Sequence, residues 1–411
     1  MKFKPSKRIR NFASLEAPLF VRAKELLEEG KKILDLRLGD PPVVGFHPPE
    51  FVKKALIDIA KENWFMYPGH SPWPQKLREA IAAREKRIHG VSYSPSDVIW
   101  TMGVTHAHDL LYFSMFDPED ELILIEPTYH TFTTFHKLYP FQKISSGSIE
   151  DEGWTPNLEE LRESINEKTK GIVIVNPNNP TGAVYDRKTL SEIVDISGEH
   201  DTPIISDEIY DLTVFDGLTT TSMASISKDV PCIVLNGMTK NYCVPGWRVG
   251  YMCFQDPESR MEELKKRINN YIGYLISLMP TPMQAAAATA IESSLEHYAE
   301  YMEYIREMMK SLEERRDYTW KRLNEIDGIS CEKSHASYFS FPRVEAIGET
   351  WKDDNDFVMS VLEEEGVFLR PGFIFGEKYG VGHTRVTFLY SINELKERYD
   401  RLEAFMKRHR S

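Results

Sequence analysis

The most informative segment of the sequence is Gly171-Ile-Val-Ile-Val-Asn-Pro-Asn-Asn-Pro-Thr-Gly182. Its apolar first half predicts a buried strand, and the prolines, asparagines and glycine that follow predict a rigid loop at the strand's end. A second stretch, Pro203-Ile-Ile-Ser-Asp-Glu-Ile-Tyr210, has the same layout, with an aspartate closing an apolar run. A carboxylate at the end of a buried strand is costly unless a cation pairs with it.

Outward from these stretches, short apolar runs alternate with helix-like segments from residue 50 to residue 250. This alternation predicts parallel βαβ units and a sheet covered by helices on both faces. Ligands of such sheets bind beyond the carboxyl ends of the strands. The predicted strands are 98–102, 121–125, 171–176, 203–206, 232–236 and 248–254. The predicted helices are 49–62, 73–89, 106–116, 157–167 and 187–200.

After residue 290 the pattern changes. Residues 294–326 predict one long helix with a charged, solvated face. Strands at 338–342 and 384–389 and helices at 355–365 and 391–408 follow, which predicts a smaller α+β domain. We expect a large α/β domain at 47–290 and a small domain built from 1–46 plus 291–411, because the first helix has no core of its own.

Composition excludes several classes of protein. The 411 residues, 41% hydrophobic and 27% charged, are typical of a folded chain of two or three domains. A net charge of −13 argues against nucleic acid or an anionic membrane as partner. The longest mainly apolar stretches are too short to span a bilayer. The four cysteines show no CxxC spacing, which favours reduced thiols in a cytoplasmic protein.

The N-terminus is basic up to Glu16, a pattern compatible with two interpretations. A transit peptide is one. We favour a basic mature N-terminus that packs on the body of the protein, because the helix-like stretch 17–29 follows without a cleavage-like break.

The residues that follow the predicted strands form a set. It comprises a helix start at Gly103, an aromatic ring at Tyr129, the amide of Asn179, the acid Asp207 with the phenol of Tyr210, the amine of Lys240, and Arg248. Each alone is equally typical of packing or of a surface charge. Together they complement pyridoxal 5′-phosphate, an aldehyde on a phosphorylated pyridine. The lysine would form a Schiff base, and the acid would hold the ring nitrogen protonated.

The order of these motifs resembles that of the fold type I, class I/II aminotransferases that use pyridoxal phosphate. Asn176-Pro-Asn-Asn-Pro-Thr-Gly182 resembles the NPNNPTG loop of that family, and Ser206-Asp-Glu-Ile-Tyr210 resembles its DEIY motif. Thr239-Lys240 through Gly246-Trp-Arg-Val-Gly-Tyr251 resembles its SK…GWRxGY segment. The resemblance implies a mostly parallel sheet of the seven-stranded type in a three-layer αβα large domain, with a smaller α+β domain.

The resemblance also implies roles. Lys240, Asp207 and Tyr210 would be catalytic, and Tyr129 would stack on the cofactor ring. Asn179 would join Tyr210 at the ring's 3-oxygen. The remaining cofactor contacts would be Val104, Thr105, Thr239 and Arg248 at the phosphate, and Tyr67 from the neighbouring subunit of a homodimer with shared active sites. The substrate contacts would be Gly39, Asn179 and Arg385.

Three positions depart from the family pattern. Gly237 stands where relatives often carry a serine or threonine that binds the phosphate, so the backbone or Thr239 would serve instead. The stretch after Tyr67 is one residue longer than usual, and His106 replaces a common amide or acid. His106 and His108 suggest zinc, but they point to different faces of a helix and lack a third ligand, so no metal is expected.

The leading hypothesis is ping-pong transamination between an L-amino acid and a 2-oxo acid. The alternatives are another reaction on the same fold, either a carbon–sulfur β-lyase or a cyclopropane-forming (ACC-synthase-like) enzyme, and a non-catalytic pyridoxal-phosphate sensor. The sensor is disfavoured because little chain precedes the catalytic-like domain. The apolar segment 12–20 resembles the family's N-terminal lid and slightly favours a neutral substrate. No second cation for a dicarboxylate is evident, so the substrate remains open.

Overall fold

The computed structural model describes residues 3–12, 16–276 and 279–409. Lys2 of the basic N-terminus and residues 13–15 of the predicted lid segment lie outside the described residues. The helices are α1 (Lys7–Asn11), α2 (Ala17–Glu28), α3 (Glu50–Lys61), α4 (Trp73–His89), α5 (Val104–Met115), α6 (His130–Phe135), α7 (Leu158–Ser164), α8 (Arg187–Glu199), α9 (Glu262–Ile276), α10 (Thr281–Glu296), α11 (Tyr298–Glu325), α12 (Asp354–Glu365) and α13 (Ile392–His409). The strands are β1 (Leu34–Asp35), β2 (Val98–Thr101), β3 (Glu121–Glu126), β4 (Gln142–Ile149), β5 (Thr155–Pro156), β6 (Thr169–Val175), β7 (Ile204–Asp207), β8 (Cys232–Gly237), β9 (Gly250–Gln255), β10 (Ile329–Ser330), β11 (Phe339–Ser340), β12 (Arg343–Val344), β13 (Val367–Phe368), β14 (Arg370–Pro371) and β15 (Thr384–Thr387).

The centre of the molecule is a sheet of eight strands, counted over the described residues, in the order β2-β9-β8-β7-β6-β3-β4-β5. Strands β8, β7, β6, β3 and β4 run parallel to one another, whereas β9 is antiparallel to both of its neighbours. Parallel strands need crossover connections, and α8 supplies one between β6 and β7. The predicted α/β class and the mostly parallel sheet are confirmed.

The parallel strands place three carboxyl ends side by side. Every residue of β7 and β8 is buried, as expected for strands that helices cover on both faces. The register pairs Val175 of β6 with Asp207 of β7, and Asp207 with Leu235 of β8. The polar segments that follow these strands therefore meet at one edge of the sheet.

The strand count corrects the expectation of a seven-stranded sheet. The short strand β5 adds an eighth member, because it pairs antiparallel with the end of β4 at the sheet edge. Strand β4 itself is absent from the sequence-based prediction. Most of its residues are polar and only half-buried, and hydrophobic periodicity detects buried strands better than strands of this kind.

The long helix predicted at 294–326 is wrong in its boundaries. Helix α10 ends at Glu296 and α11 begins at Tyr298. His297 separates them with a non-helical φ of −104° and ψ of 43°. Helix α10 packs against α3 and α4, so the two helices serve different parts of the core. The charged amphipathic pattern of the sequence continues across His297, so the pattern gives no sign of a break that is one residue long.

The N-terminal part of the chain joins the C-terminal part. Strand β1 pairs in parallel with β13, and the backbone N–H of Thr387 donates to the carbonyl of Leu36 at 2.8 Å. Strands β11, β15 and β14 form an antiparallel sheet in the same part of the molecule. The rings of Phe12 and Phe135 lie 6.2 Å apart, so the described N-terminal residues contact the body of the protein.

Among the described residues, no helix has both the length and the apolar composition needed to cross a bilayer. The four cysteines are free and buried.

Candidate active site

A cavity of about 360 Å³ lies at the edge where β6, β7 and β8 end. The C-terminal part of the chain completes its wall with Phe339 of β11, Arg370 of β14 and Arg385 of β15. The residues predicted from the sequence that line this cavity are Gly39, Val104, Thr105, Tyr129, Asn179, Asp207, Tyr210, Thr239, Lys240, Arg248 and Arg385.

Lys240 follows β8, and its side chain reaches the cavity. Its Nζ donates a hydrogen bond to the carbonyl oxygen of Gly39 at 3.1 Å and lies 5.4 Å from the ring centroid of Tyr210. Burial lowers the pKa of Lys240 to about 8, and the charges of Arg385 and Arg248 act in the same direction. A lysine with so low a pKa has a substantial neutral fraction near neutral pH, and the neutral amine is the nucleophile.

Asp207 is the buried last residue of β7. Its Oδ1 accepts a hydrogen bond from the backbone N–H of Ile209 at 3.1 Å, and its Oδ2 lies 3.5 Å from Nε2 of His108 on α5. Burial lowers the pKa of His108, although Asp207 opposes the shift, so the imidazole is neutral near pH 7. Among the described residues no lysine or arginine forms an ion pair with Asp207. A buried carboxylate without a cation favours a protonated nitrogen on a ligand.

Arg385 and Asn179 come together from distant parts of the chain. Nη1 of Arg385 donates to Oδ1 of Asn179 at 3.0 Å, and Nη2 donates to the carbonyl of Arg37 at 3.2 Å. Its Nε has no hydrogen-bond partner in the described part of the chain. Burial lowers the pKa of Arg385, and the charge of Arg370 adds to the effect. A buried guanidinium held only by neutral acceptors favours an incoming carboxylate, which can accept two parallel hydrogen bonds.

Two tyrosines, Tyr210 and Tyr129, border the same cavity. The ring of Tyr210 packs edge to face on the ring of Tyr338, with the ring centroids 5.6 Å apart. Burial raises the pKa of Tyr210, although Arg385 opposes the shift, so its phenol keeps the proton and can donate it in a hydrogen bond. Tyr129, at the start of α6, is half-buried and offers an aromatic face to a flat ligand.

The start of α5 forms an anion-binding end of the cavity. Gly103 caps the helix with a φ of 77°, a conformation that glycine adopts readily. A Cβ on Gly103 would lie 2.4 Å from Nη2 of Arg248, so this guanidinium passes directly over the helix start. Val104 and Thr105 are first-turn residues, whose backbone N–H groups have no acceptor within the helix. The helix dipole and Arg248 therefore favour a phosphate at this end.

Gly237 and Gly250 pair at the junction of β8 and β9. A Cβ on Gly237 would lie 2.6 Å from the carbonyl oxygen of Val249, and a Cβ on Gly250 would lie 2.5 Å from the carbonyl carbon of Gly103. The backbone segments approach so closely that only glycine fits. This explains the departure at Gly237, because a serine or threonine would collide with the backbone. Thr239, which lines the cavity, supplies a hydroxyl nearby.

Tyr67 is the one predicted cofactor residue that the structure does not bring to the cavity of its own chain. It is 75% exposed and precedes the short turn Pro68–His70. A hydrogen bond of 2.6 Å from the Thr281 hydroxyl to the carbonyl of Met66 anchors the segment beside it. Its role across a subunit boundary stays a prediction.

Several cavity residues were missed by sequence reasoning. Arg37, His130, Phe339 and Arg370 line the cavity, and His108 lies beside Asp207 without lining it.

A signal existed for two of them. His108 was considered only with His106 as a metal ligand, and the structure separates the two, because Nδ1 of His106 accepts a hydrogen bond from the backbone of Met102 at 3.1 Å. Arg370 ends the apolar run Val367-Phe-Leu-Arg370, the same layout that identified Asp207. Over the described residues, no group of three His, Cys, Asp or Glu side chains is arranged to hold a metal ion.

These observations fit pyridoxal 5′-phosphate. The glycine-lined start of α5 with Arg248 suits its phosphate, and the unpaired carboxylate of Asp207 suits its protonated ring nitrogen. The amine of Lys240 suits its aldehyde. Arg385 is then left for the carboxylate of a substrate.

The chain is similar to known aminotransferases over nearly all its length. Residues 31–402 match the family model described as Aminotransferase class I and II. The aspartate aminotransferase of Bacillus subtilis (strain 168) is 30% identical over 392 residues, covering 94% of this chain and 95% of that protein. The glutamate-pyruvate aminotransferase AlaA of Escherichia coli (strain K12) is 30% identical over 396 residues, covering 95% of each. The solved alanine aminotransferase from Pyrococcus furiosus superimposes with a TM-score of 0.91 at 42% identity, covering 98% of this chain and 100% of that one.

The matches and the cavity agree with each other. The predicted fold type, cofactor and reaction class are confirmed. The chain belongs to the class I and II aminotransferases, enzymes of fold type I that use pyridoxal phosphate to transfer an amino group between an amino acid and a 2-oxo acid.

Proposed function

We propose that this enzyme transfers the amino group between L-alanine and L-glutamate, with pyruvate and 2-oxoglutarate as the 2-oxo acids. The observation that carries the proposal is the buried guanidinium of Arg385, which shares a cavity with Lys240 and has no carboxylate partner among the described residues. An α-carboxylate bound there brings the α-carbon of an amino acid toward Nζ of Lys240. The similarity to alanine and glutamate-pyruvate aminotransferases supports this choice of substrates.

We infer the roles of the site residues from their places in the cavity and, for Tyr67, from the resemblance to the family. Asp207 holds the cofactor's ring nitrogen, Tyr210 and Asn179 bind its 3-oxygen, and Tyr129 covers its ring. The phosphate is held by Val104, Thr105, Thr239 and Arg248, with Tyr67 contributed by a second copy of the chain. The substrate carboxylate is bound by Arg385 and Asn179, with Gly39 beside them.

Lys240 performs the proton transfers. Bound pyridoxal phosphate supplies an electron sink for the negative charge that forms when the substrate loses its α-proton. Nζ of Lys240 removes that proton and later returns it, and a pKa of about 8 suits both tasks near neutral pH. Asp207 supports the electron sink by keeping the ring nitrogen protonated. Release of one 2-oxo acid before the second binds makes the kinetics ping-pong.

The enzyme's assembly and location are part of the proposal. A homodimer is supported by the exposed aromatic side chains of Phe65, Tyr67 and Tyr274, because a single copy leaves them in water. The pairing of β1 with β13 supports a small domain of residues 1–46 plus 291–411 beside a large domain of residues 47–290. Four free cysteines support a reducing, cytoplasmic location.

A half-reaction screen tests the proposed substrates. The cofactor-loaded enzyme is mixed with one amino acid at a time, and conversion to the amine form of the cofactor is followed by absorbance. We expect L-alanine and L-glutamate to convert the enzyme faster than the other amino acids. A clear preference for an aromatic or branched amino acid would contradict the choice of substrates but leave the reaction class intact.

The Lys240→Ala variant tests the catalytic assignment. We expect a loss of turnover of at least about a thousandfold, because among the described residues no second lysine lines the cavity to replace Nζ. The matched control is Lys188→Ala, a change at a surface lysine whose side chain is 86% exposed. Turnover of Lys240→Ala at the wild-type rate would refute the assignment.

A further inference from the structure

Four arginines line the cavity. Arg248 lies at the start of α5, and the other three, Arg37, Arg370 and Arg385, differ in their counter-ions. The charge of Arg37 is neutralised by Asp35, which lies two residues earlier in the chain. Nε and Nη2 of Arg37 donate to the two carboxylate oxygens of Asp35 at 3.1 and 2.7 Å. The Arg37 guanidinium also lies 4.4 Å from the ring centroid of Phe20 and 3.5 Å from that of Phe368. These contacts hold Arg37 in place and leave it little capacity for a ligand.

Arg370 and Arg385 are direct neighbours. They are paired residues of the antiparallel strands β14 and β15, and opposite residues of such strands place their side chains on the same face. Two like charges in this arrangement destabilise each other unless anions lie between or beside them. Arg385 is assigned to the α-carboxylate of the substrate. Arg370 therefore lies on the strand next to the arginine that is assigned to the substrate.

The counter-ion of Arg370 is Glu16. Nε of Arg370 donates to Oε1 of Glu16 at 2.7 Å, and the two side chains are only 16% and 12% exposed. Glu16 precedes the first residue of α2 and comes 354 residues earlier in the chain than Arg370; its side chain makes no capping hydrogen bond to the helix. Among the described residues, neither Nη1 nor Nη2 of Arg370 makes a hydrogen bond. Arg37 makes two side-chain hydrogen bonds to Asp35, whereas Arg370 makes a single one to Glu16.

We propose that Arg370 binds the distal carboxylate of a dicarboxylic substrate, and that Glu16 occupies this place when the substrate has no such group. The inference rests on the proposed function and adds to it the residue that discriminates between substrates. A side-chain carboxylate displaces Glu16 and takes the free donors of Arg370 as well. Alanine or pyruvate leaves the pair between Glu16 and Arg370 intact. In both cases Arg370 keeps a partner, which matters because an unpaired buried charge is costly. One cavity thus serves both substrates of a ping-pong cycle.

Single half-reactions test the proposal in Arg370→Gln and Glu16→Gln. Each variant, loaded with cofactor, is mixed separately with L-glutamate, 2-oxoglutarate, L-alanine or pyruvate. We expect Arg370→Gln to lower the second-order rate constants for the two dicarboxylates by roughly tenfold to a hundredfold, as expected for a lost bond between charged groups. The constants for L-alanine and pyruvate should change by less than about threefold. Glu16→Gln should raise the constants for the dicarboxylates, because their competitor is gone.

The control is Arg22→Gln. Arg22 also lies on α2 and pairs with Glu25, Glu29 and Glu363, but it does not line the cavity. This variant shows whether loosening α2 by itself changes the rate constants for the dicarboxylates relative to those for L-alanine and pyruvate. We expect no change in that ratio. Arg370→Gln with equal losses for L-alanine and L-glutamate would overturn the proposal, because a merely structural pair affects both alike.

Binding of glutarate, a dicarboxylate that cannot react, supplies a readout apart from turnover. Calorimetric titration of the cofactor-loaded protein should show binding that weakens about tenfold in Arg370→Gln and tightens in Glu16→Gln. Weaker glutarate binding in Glu16→Gln would overturn the proposal that a substrate carboxylate displaces Glu16 from Arg370. This variant tests the proposal even if Arg370→Gln does not fold. A wild-type enzyme that reacts with neither amino acid contradicts the proposed function. One that reacts with L-alanine alone overturns only the role of Arg370.

Discussion

At the scale of single residues, glycines shape the phosphate end of the site. Gly250 lies where the backbone of β9 meets the start of α5. A Cβ there would stand 2.5 Å from the carbonyl carbon of Gly103 and 2.7 Å from the backbone nitrogen of Val104. Backbone atoms of a helix start cannot move aside as the end of a flexible side chain can. The close backbone contact at Gly250 therefore fixes the position of the first turn of α5 next to the guanidinium of Arg248.

Gly250→Ala should weaken cofactor binding. The added methyl group overpacks a backbone contact, which costs about 1–3 kcal/mol and pushes the start of α5 out of place. We expect the dissociation constant of pyridoxal phosphate to rise about tenfold or more, measured by fluorescence titration of the cofactor-free protein. Gly246→Ala is the matched control, since a Cβ there meets nothing within 4 Å. Equal affinities in the two variants would contradict the steric argument.

At the scale of elements, a buried carboxylate ties helix α4 to the strand that precedes Lys240. Oδ2 of Asp211 lies 2.8 Å from Nη2 of Arg84 and 2.8 Å from Nε2 of His89, both on α4. Asn236 at the end of β8 donates to the same oxygen at 2.9 Å, and Asn241, next to Lys240, donates to Oδ1. Helix α4 and the lysine-bearing segment thus share one anchor.

His89 makes this anchor sensitive to pH. Burial alone would lower the pKa of His89, but the hydrogen bond to Asp211 and the charges of Glu85 and Asp211 outweigh burial and raise that pKa to about 9. A raised pKa means that the folded protein binds the proton more tightly than the unfolded chain. The contribution to stability is therefore complete below about pH 6.5 and is lost as the pH rises through about 9.

The wild-type protein should lose about 3 kcal/mol more unfolding free energy between pH 6.5 and pH 9 than His89→Gln. Glutamine keeps a donor for Asp211 but does not titrate. Guanidinium unfolding at a series of pH values measures the difference. His200→Gln, at an exposed histidine, should behave like the wild type. Parallel pH profiles for the wild type and His89→Gln would show that folding does not raise the pKa of His89.

At the scale of the whole molecule, one predicted cofactor residue lies apart from the others. Tyr67 and Tyr274 are 75% and 91% exposed, and Tyr67 lies outside the cavity that holds the rest of the predicted cofactor ligands. A homodimer would cover these rings and bring Tyr67 to the partner's phosphate site. Activity would then depend on which residues meet across the subunit boundary.

Hybrid dimers test this arrangement. Tyr67→Phe should weaken cofactor binding about tenfold by removing one hydrogen bond to a charged phosphate, and Lys240→Ala should be inactive. In a hybrid of the two variants, one site combines an intact Lys240 with an intact Tyr67 from the other chain. We expect this hybrid to recover about half of the wild-type activity per dimer at low cofactor concentration. Homodimers of each variant are the controls, and a hybrid no better than Tyr67→Phe would place Tyr67 in the site of its own chain.

Local patterns were enough to predict much of the fold and of the site. The alternation of apolar runs and helices predicted the parallel sheet, since burial on both faces leaves a periodic signal in the chain. The residues just beyond the strands were predictable too, because parallel strands bring their carboxyl ends to one edge. Strand β4 and the break at His297 escaped prediction, because a half-buried strand of mostly polar residues and a one-residue kink leave no periodic signal.

By itself, then, the sequence determined the class of fold and the cofactor, and it predicted Lys240, Asp207 and Arg385 as site residues. Only the tertiary structure decided the long-range pairs: His108 beside Asp207, Gly250 against Gly103, and Glu16 on Arg370. The physical reason is the range of the forces involved. Strand and helix patterns are set by neighbours within a few residues, whereas a counter-ion or a steric contact depends on where the whole chain places two distant side chains.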